Sequence, residues 1–186
     1  MSGLKQTNID TENSKPLQSI NQNELSELKS KLYSLNEISP QTRGFAFEKF
    51  LNKLFSMYNL APRGSFRLTG EQIDGSFQLD RFTYLVEAKW QERQVGNSDL
   101  LAFKGKVAGK AIWSRGIYIS YSGFTPDGLI AFSKAGSTNI IGITGQDIHF
   151  ILEGELSFVE AIQLKTRYAA ETGEFWISVF DLRRGH

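Results

Sequence analysis

Apolar residues along this chain recur at two different periods, and the changes of period mark the elements. Leu25, Leu28, Leu32 and Leu35 keep helical spacing within Glu24 to Leu35, as one buried face requires. Ser39-Pro40 then supplies a capping hydroxyl and a proline at the first helical position. Behind it, Phe47, Phe50, Leu51, Leu54, Phe55 and Tyr58 form a second stripe, with Glu48 at its edge. Arg63 to Thr69 predicts a first strand, and from Gln72 to Trp90 the period falls to two, as in strands. Ser98 to Gly109 returns to helical spacing and buries Leu100, Phe103 and Val107. Arg115 to Ser122 is a strong buried strand, Thr125-Pro126 opens a helix through about Lys134, and Asn139 to Thr144 is another strand. Ser157 to Glu171 closes the series as an amphipathic helix on Phe158, Ala161, Ile162 and Leu164. This order predicts an α/β fold with a mixed central β-sheet flanked by helices. Met1 to Asn21, rich in Asn, Ser, Gln and Thr, is expected to be a flexible arm. Residues 22–38 are expected to pack as a helix on the core, and residues 39–186 to form one domain.

The stretch from Gln72 to Trp90 reads as a hairpin turning at Asp80-Arg81. With that two-residue loop, Leu79 faces Phe82, Phe77 faces Tyr84, Gly75 faces Val86 and Ile73 faces Ala88, which makes one apolar face. The other face pairs Gln78 with Thr83, Ser76 with Leu85, Asp74 with Glu87, and Gln72 with Lys89. Side chains directly opposed in this way have Cβ atoms roughly 4.5–5.5 Å apart, where like charges destabilise. Acidic residues are depleted in strands, and Glu87 follows the apolar run Tyr84-Leu85-Val86, where burying a charge is costly. A divalent cation between Asp74 and Glu87 removes the conflict, and Lys89 is then a positive group beside it. The pattern points to a metal-dependent phosphodiesterase site. It depends on register, because a three-residue loop would part the carboxylates.

Composition narrows the chemistry. The 186 residues are 40% hydrophobic and 22% charged, within the range of a single globular domain. There is no cysteine, which excludes disulfides and thiolate-bound zinc, and the two histidines, His149 and His186, argue against a His-rich metal centre. A metal would therefore be held by oxygen, which favours magnesium or manganese. A formal net charge of +1 gives no general attraction to polyanions, so nucleic acid would need a local patch. Lys104, Lys106, Lys110 and Arg115, just downstream of the hairpin, are the candidates for contacting a phosphate backbone. No apolar run is long enough to span a bilayer and no basic-then-apolar leader is present, so a cytoplasmic protein is expected. The chain has no phosphate-binding P-loop and no nucleophile elbow.

An aspartate, a hairpin turn and then Glu-x-Lys, here Asp74 and Glu87-Ala88-Lys89, resemble the core of the PD-(D/E)xK nuclease superfamily. The preceding helix TRGFAFEKFLNKLF and the following Gly-Lys-rich helix are most similar to its Mrr-like restriction endonuclease branch. The resemblance spans roughly Thr42 to Thr144 and implies the restriction-endonuclease-like fold. It further implies that Asp74 and Glu87, with the carbonyl of Ala88, bind Mg²⁺ (Mn²⁺ being the alternative) and that Lys89 orients or activates the attacking water. Glu48 matches the first-helix glutamate that supports the metal shell. Ile73 departs from the pattern, standing where the superfamily's name has proline. Many Mrr-like proteins carry glutamine in place of Glu87, so the complete Asp-Glu-Lys set argues for an active site. The expectation is a Mg²⁺-dependent nuclease acting on nucleic acid, with DNA the favoured substrate. Two alternatives stay open. One is a catalytically silent nucleic-acid-binding or assembly module of the same fold, and the other is an RNA-directed nuclease. A homodimer, or a partner subunit supplying target recognition, also stays open.

Overall fold

The computed structural model describes residues 22–184; the arm expected at Met1 to Asn21 and the last two residues lie outside them. Helix α1 (Gln22–Ser34) buries Leu25, Leu28 and Leu32, and a 3-10 turn, Leu35–Glu37, continues the stripe with Leu35. Helix α2 (Pro40–Met57) starts where the sequence predicts, with the Ser39 hydroxyl accepting from the N–H of Thr42 and Pro40 at the first position. Arg43 fixes the corner between the two helices by donating to the carbonyls of Leu35, Asn36 and Ile38.

Six strands follow in two sheets. Strands β1 (Phe66–Leu68) and β2 (Glu71–Ile73) form a small antiparallel pair of their own. Strands β3 (Gly75–Leu79), β4 (Phe82–Lys89), β5 (Ser114–Ser120) and β6 (Ile140–Thr144) form the main sheet in that order. β3 meets β4 antiparallel, with Leu79 opposite Phe82, Phe77 opposite Tyr84 and Gly75 opposite Val86, the register that the alternation predicts. The turn between them holds Asp80 at φ 50° and Arg81 at φ 68°, the left-handed pair that suits a tight hairpin to strand twist. β4, β5 and β6 run parallel and are joined by α3 (Asn97–Ala108) and α4 (Pro126–Ser133). Parallel strands covered on both faces read as unbroken apolar runs, as Ile117-Tyr118-Ile119 and Ile140-Ile141 do.

The sheet is therefore mixed and lies between two helical layers. On one face, α1, α2, α5 (Gly145–Leu152) and α6 (Phe158–Thr172) enclose Phe47, Phe50, Phe77, Val86, Ile119 and Phe158. On the other, α3 and α4 cover Leu85, Phe103, Val107, Tyr118 and Phe132. Contact there is close enough that a Cβ on Gly116 would lie 2.3 Å from a methyl of Ile140 and 2.8 Å from one of Val107.

The structure departs from the expected elements in three places. The strand expected at Arg63 to Thr69 shrinks to β1 and leaves the main sheet, while Arg63 instead bridges Ser76 by a reciprocal pair of backbone hydrogen bonds of 2.8 and 2.9 Å. The hairpin expected to run unbroken from Gln72 ends at Gly75. The N–H of Asp74 donates to the carbonyl of Val86 (3.2 Å), the residue already opposite Gly75, so two residues of one strand lie against one of the other in the manner of a β-bulge. A one-residue slip turns side chains to the opposite face, and Ile73 accordingly joins the core of Leu85 and Phe103 rather than that of Val86 and Ala88. The expected ladder pairs Ile73–Ala88, Asp74–Glu87 and Gln72–Lys89 do not form. Two helices were also not foreseen, α5 and the short α7 (Val179–Arg184).

Those two helices share one buried anchor. Asp147, in a capping box with Thr144, accepts from the N–H of Thr144 (2.9 Å), the N–H of Val179 (2.7 Å), the Trp176 indole (3.3 Å) and the Lys165 ammonium (3.1 Å). Lys165 is equally enclosed and also donates to the carbonyl of Ile177. Removing one partner of such a pair strands the other charge, at a cost of roughly 3–5 kcal/mol. Asp147→Ala is therefore expected to lose stability by about that amount in urea denaturation. Lys165→Met should lose less, since Asp147 keeps its backbone and indole donors. Equal losses would show that the amide donors contribute little.

Candidate active site

β4 ends on Glu87 and Lys89, two of the residues expected to carry the chemistry. Alternation along it puts Glu87 and Lys89 on the same side as Leu85, facing α3. The bulge brings Asp74 to the same place, where its Oδ2 accepts from the N–H of Ala88 at 3.0 Å. The Lys89 ammonium lies 3.0 Å from Glu87 Oε1 and 4.0 Å from Asp74 Oδ2. The three predicted residues thus converge, although by a bulge and a side-chain-to-backbone bond rather than by direct opposition in a ladder. From α3, Lys106 donates to Glu87 Oε2 at 2.7 Å and to the carbonyl of Gln72 at 3.1 Å, so Glu87 is held between two ammonium groups.

Burial sets the electrostatics. Both carboxylates are almost enclosed, with side-chain exposures of 8% for Asp74 and 9% for Glu87. Desolvation raises the pKa of Asp74, opposed in part by the Ala88 N–H, and the neighbouring charge of Glu87 adds to the rise. Burial works against the charged form of Lys89, but Glu87, Asp74 and Glu48 together outweigh it and leave its pKa raised. Glu48, on α2, is pushed up to about 7, first by desolvation and then by the charge of Asp74, with Lys89 acting in the opposite sense. Its position beside the other three is thus felt as charge. Glu48 and Asp74 line an open cleft of about 390 Å³, together with Phe45, Lys49 and Asn52 from α2 and with Gly64 and Ser65 across from them.

Of the four residues expected to contact a phosphate backbone, Lys106 on α3 and Lys110 just past its end both lie against β2. Lys106 is bound to Glu87, as described. Lys110 pairs with Glu71. Lys104 donates to the carbonyls of Ala135 and Gly136 and lies over the ring of Phe132. Arg115, at the start of β5, covers the ring of Phe82 at 4.0 Å. Each of the four cations has a partner within the protein. The role of Lys106 beside Glu87 was not foreseen. Its one sequence signal is the spacing to Phe103, which sets it at the edge of the buried stripe of α3.

Among the described residues, no three of His, Cys, Asp and Glu stand close enough together to form a metal-binding group. The donors present nevertheless suit a hard divalent cation. The carboxylates of Asp74 and Glu87 and the carbonyl of Ala88 are all oxygen. The repulsion that Asp74 feels from Glu87, and Glu48 from Asp74 and Glu87, is what a cation would relieve.

The chain matches the restriction endonuclease family of the Mrr catalytic type over residues 40–152. This span begins at α2 and ends with α5, so it takes in the whole site. Nothing among curated proteins matches the chain. One similar solved structure is the MspJI restriction endonuclease in complex with a 27-mer oligonucleotide, with 15% identity and a TM-score of 0.42. The alignment covers 82% of this chain and 36% of that one, so the chain spans about a third of that protein's length.

The Glu48 carboxyl generates a prediction. Its pKa stands at about 7 in the folded protein against an ordinary 4.5. Between those values the folded state binds more protons than the unfolded chain, so stability is present below about 4.5 and is lost as pH rises through about 7. In denaturation curves taken over this window with a chelator present, the parent should lose stability relative to Glu48→Gln as pH rises. A difference that stays constant across the window would mean that Glu48 titrates as an ordinary surface carboxylate.

Proposed function

Since the chain belongs to the restriction endonuclease family of the Mrr catalytic type, we propose that it is a divalent-metal-dependent DNA endonuclease that uses Asp74, Glu87 and Lys89. That family generally relies on divalent metal ions, and here the proposed ion is Mg²⁺, with Mn²⁺ as a substitute. The observation that carries the reading is the convergence of two buried carboxylates and one half-exposed ammonium at the end of β4. Asp74 and Glu87, with the carbonyl of Ala88, would hold the ion. When bound, it supplies Lewis-acid chemistry at the scissile phosphate.

The remaining work falls to the chain's own groups. Lys89 is kept charged by its carboxylate neighbours, and it is the most exposed of the three, so it can reach beyond them. It donates a hydrogen bond to the attacking water and offsets negative charge as the phosphate is attacked in line. The Asp74 carboxylate is held in place by the Ala88 N–H, which fixes its free lone pairs. Glu48 orients the groups around Asp74 from the cleft side. Lys106 holds Glu87 in position and neutralises it while no substrate is bound. Hydrolysis proceeds with no covalent enzyme intermediate.

The proposal is tested with purified protein and Mg²⁺ or Mn²⁺ against duplex DNA, single-stranded DNA and RNA. Cleavage of RNA alone would turn the reading to an RNA-directed nuclease. Cleavage of none, with binding retained, would turn it to a silent binding module, a state that the two lysines on Glu87 would support.

Asp74→Asn and Glu87→Gln are expected to abolish cleavage while the protein stays folded by circular dichroism. Full activity in either variant would remove the assignment. Lys89→Ala should slow turnover by about 10²–10⁴-fold, the range of a positioned proton-transfer group, with metal affinity by calorimetry changed only slightly. Loss of metal affinity in step with turnover would instead make Lys89 a structural counter-ion.

A further inference from the structure

The cleft beside the carboxylates has a wall that the proposed chemistry does not use. Phe45 is 57% exposed, although its neighbours along α2 at Phe47, Phe50 and Leu51 are buried. It stands one helical turn before Glu48, and the Lys49 ammonium lies over its ring, 4.4 Å from the centroid. Asn52, with both a donor and an acceptor, continues the same wall. Across the cleft, Gly64 brings no side chain, and a Cβ there would meet nothing within 4 Å. The volume of about 390 Å³ lies within the roughly 300–1,000 Å³ of small-ligand clefts.

An aromatic ring, a cation and an amide around an open cleft form a platform for a nucleotide. Bases stack on such rings whatever their identity, and a nearby ammonium serves the phosphate. A base inside an intact duplex has no free face to offer, so the ring can be used only by an unpaired or extruded nucleotide. Taking the nuclease reading above as its premise, we propose that Phe45, with Lys49 and Asn52, is a positioning subsite that stacks one unpaired base next to the scissile phosphate. The preferred substrates are then nucleic acids with an unpaired nucleotide at the cut. A fully paired duplex is disfavoured because a base must first be unstacked, which costs a few kcal/mol.

The test compares a fully paired duplex with the same duplex carrying one unpaired 2-aminopurine, using the parent, Phe45→Ala, Phe45→Trp and Lys49→Ala. The parent should cleave the second substrate faster and quench its fluorescence by stacking. Phe45→Ala should lose the quenching and about 5- to 150-fold in kcat/KM on that substrate, the equivalent of one lost base–aromatic stack. Phe45→Trp should retain both. Lys49→Ala should keep the quenching but bind less tightly, with the salt slope of log binding reduced by roughly 0.7–0.9. The proposal is overturned if Phe45→Ala quenches and discriminates like the parent, or if the parent itself does not quench. Absence of cleavage by the parent would instead overturn the nuclease reading, while quenching, which needs binding alone, would still decide the fate of the subsite.

Discussion

The site depends on two residues of one strand lying against a single residue of the next. While β3 pairs with β4 in strict alternation, its side chains divide cleanly between the two cores. At Asp74 the N–H reaches the carbonyl of Val86, already opposite Gly75, and the alternation breaks. Three consequences follow from this slip. Ile73 passes to the α3 side and fills the core around Phe103. The chain before it leaves the sheet and pairs with β1. Asp74 itself turns its carboxylate toward the Ala88 N–H, next to Glu87 and Lys89. An unbroken hairpin would have set two carboxylates directly opposite each other with no backbone donor for either, an arrangement in which like charges destabilise the ladder.

Charge compensation explains how acidic groups so enclosed can be held near one another. Glu87 lies between Lys89 and Lys106 and is paired from the end of β4 and from α3 at once. Asp74 has a backbone donor at hydrogen-bond distance and a more distant ammonium, and Glu48 lines the open cleft. Burial and neighbouring carboxylates raise the pKa of both Asp74 and Glu48. Such crowding of groups whose ionisation is mutually unfavourable is characteristic of sites that act on charged substrates. It is concentrated here where the sheet opens onto the cleft.

Much of this was legible from residue pattern. The hairpin register from Leu79 back to Gly75, the Asp80-Arg81 turn and the Ser39 cap follow from strong local signals that the tertiary structure leaves unchanged. The convergence of Asp74, Glu87 and Lys89 was legible in outcome but not in means, because a bulge changes no residue type and leaves only a trace at Gly75. There a Cβ would meet the carbonyl of Arg63 at 3.0 Å. Helix α5 carried a signal that could have been read, the capping pair Thr144 and Asp147, but it is short and follows directly on a strand. Helix α7 is shorter still and depends on a distant carboxylate. The partners of Lys104, Lys106, Lys110 and Arg115 come from elements remote in sequence, so proximity along the chain could not show that each cation was already engaged.

The Asp147 anchor adds a dimension of time. Synthesis delivers β4 and its reactive end first, then Asp147, then Lys165, and only afterwards Trp176 and Val179, which complete the donors around that carboxylate. A growing chain therefore carries Asp74, Glu87 and Lys89 for some time on a scaffold whose central ion pair is still short of partners. On this order of synthesis, the helical layer over the sheet is expected to close only once α7 is made. Protease protection of chains halted at successive lengths would show this as a late and abrupt gain. The fold is thus locked by its last helix rather than by the elements that carry Asp74, Glu87 and Lys89.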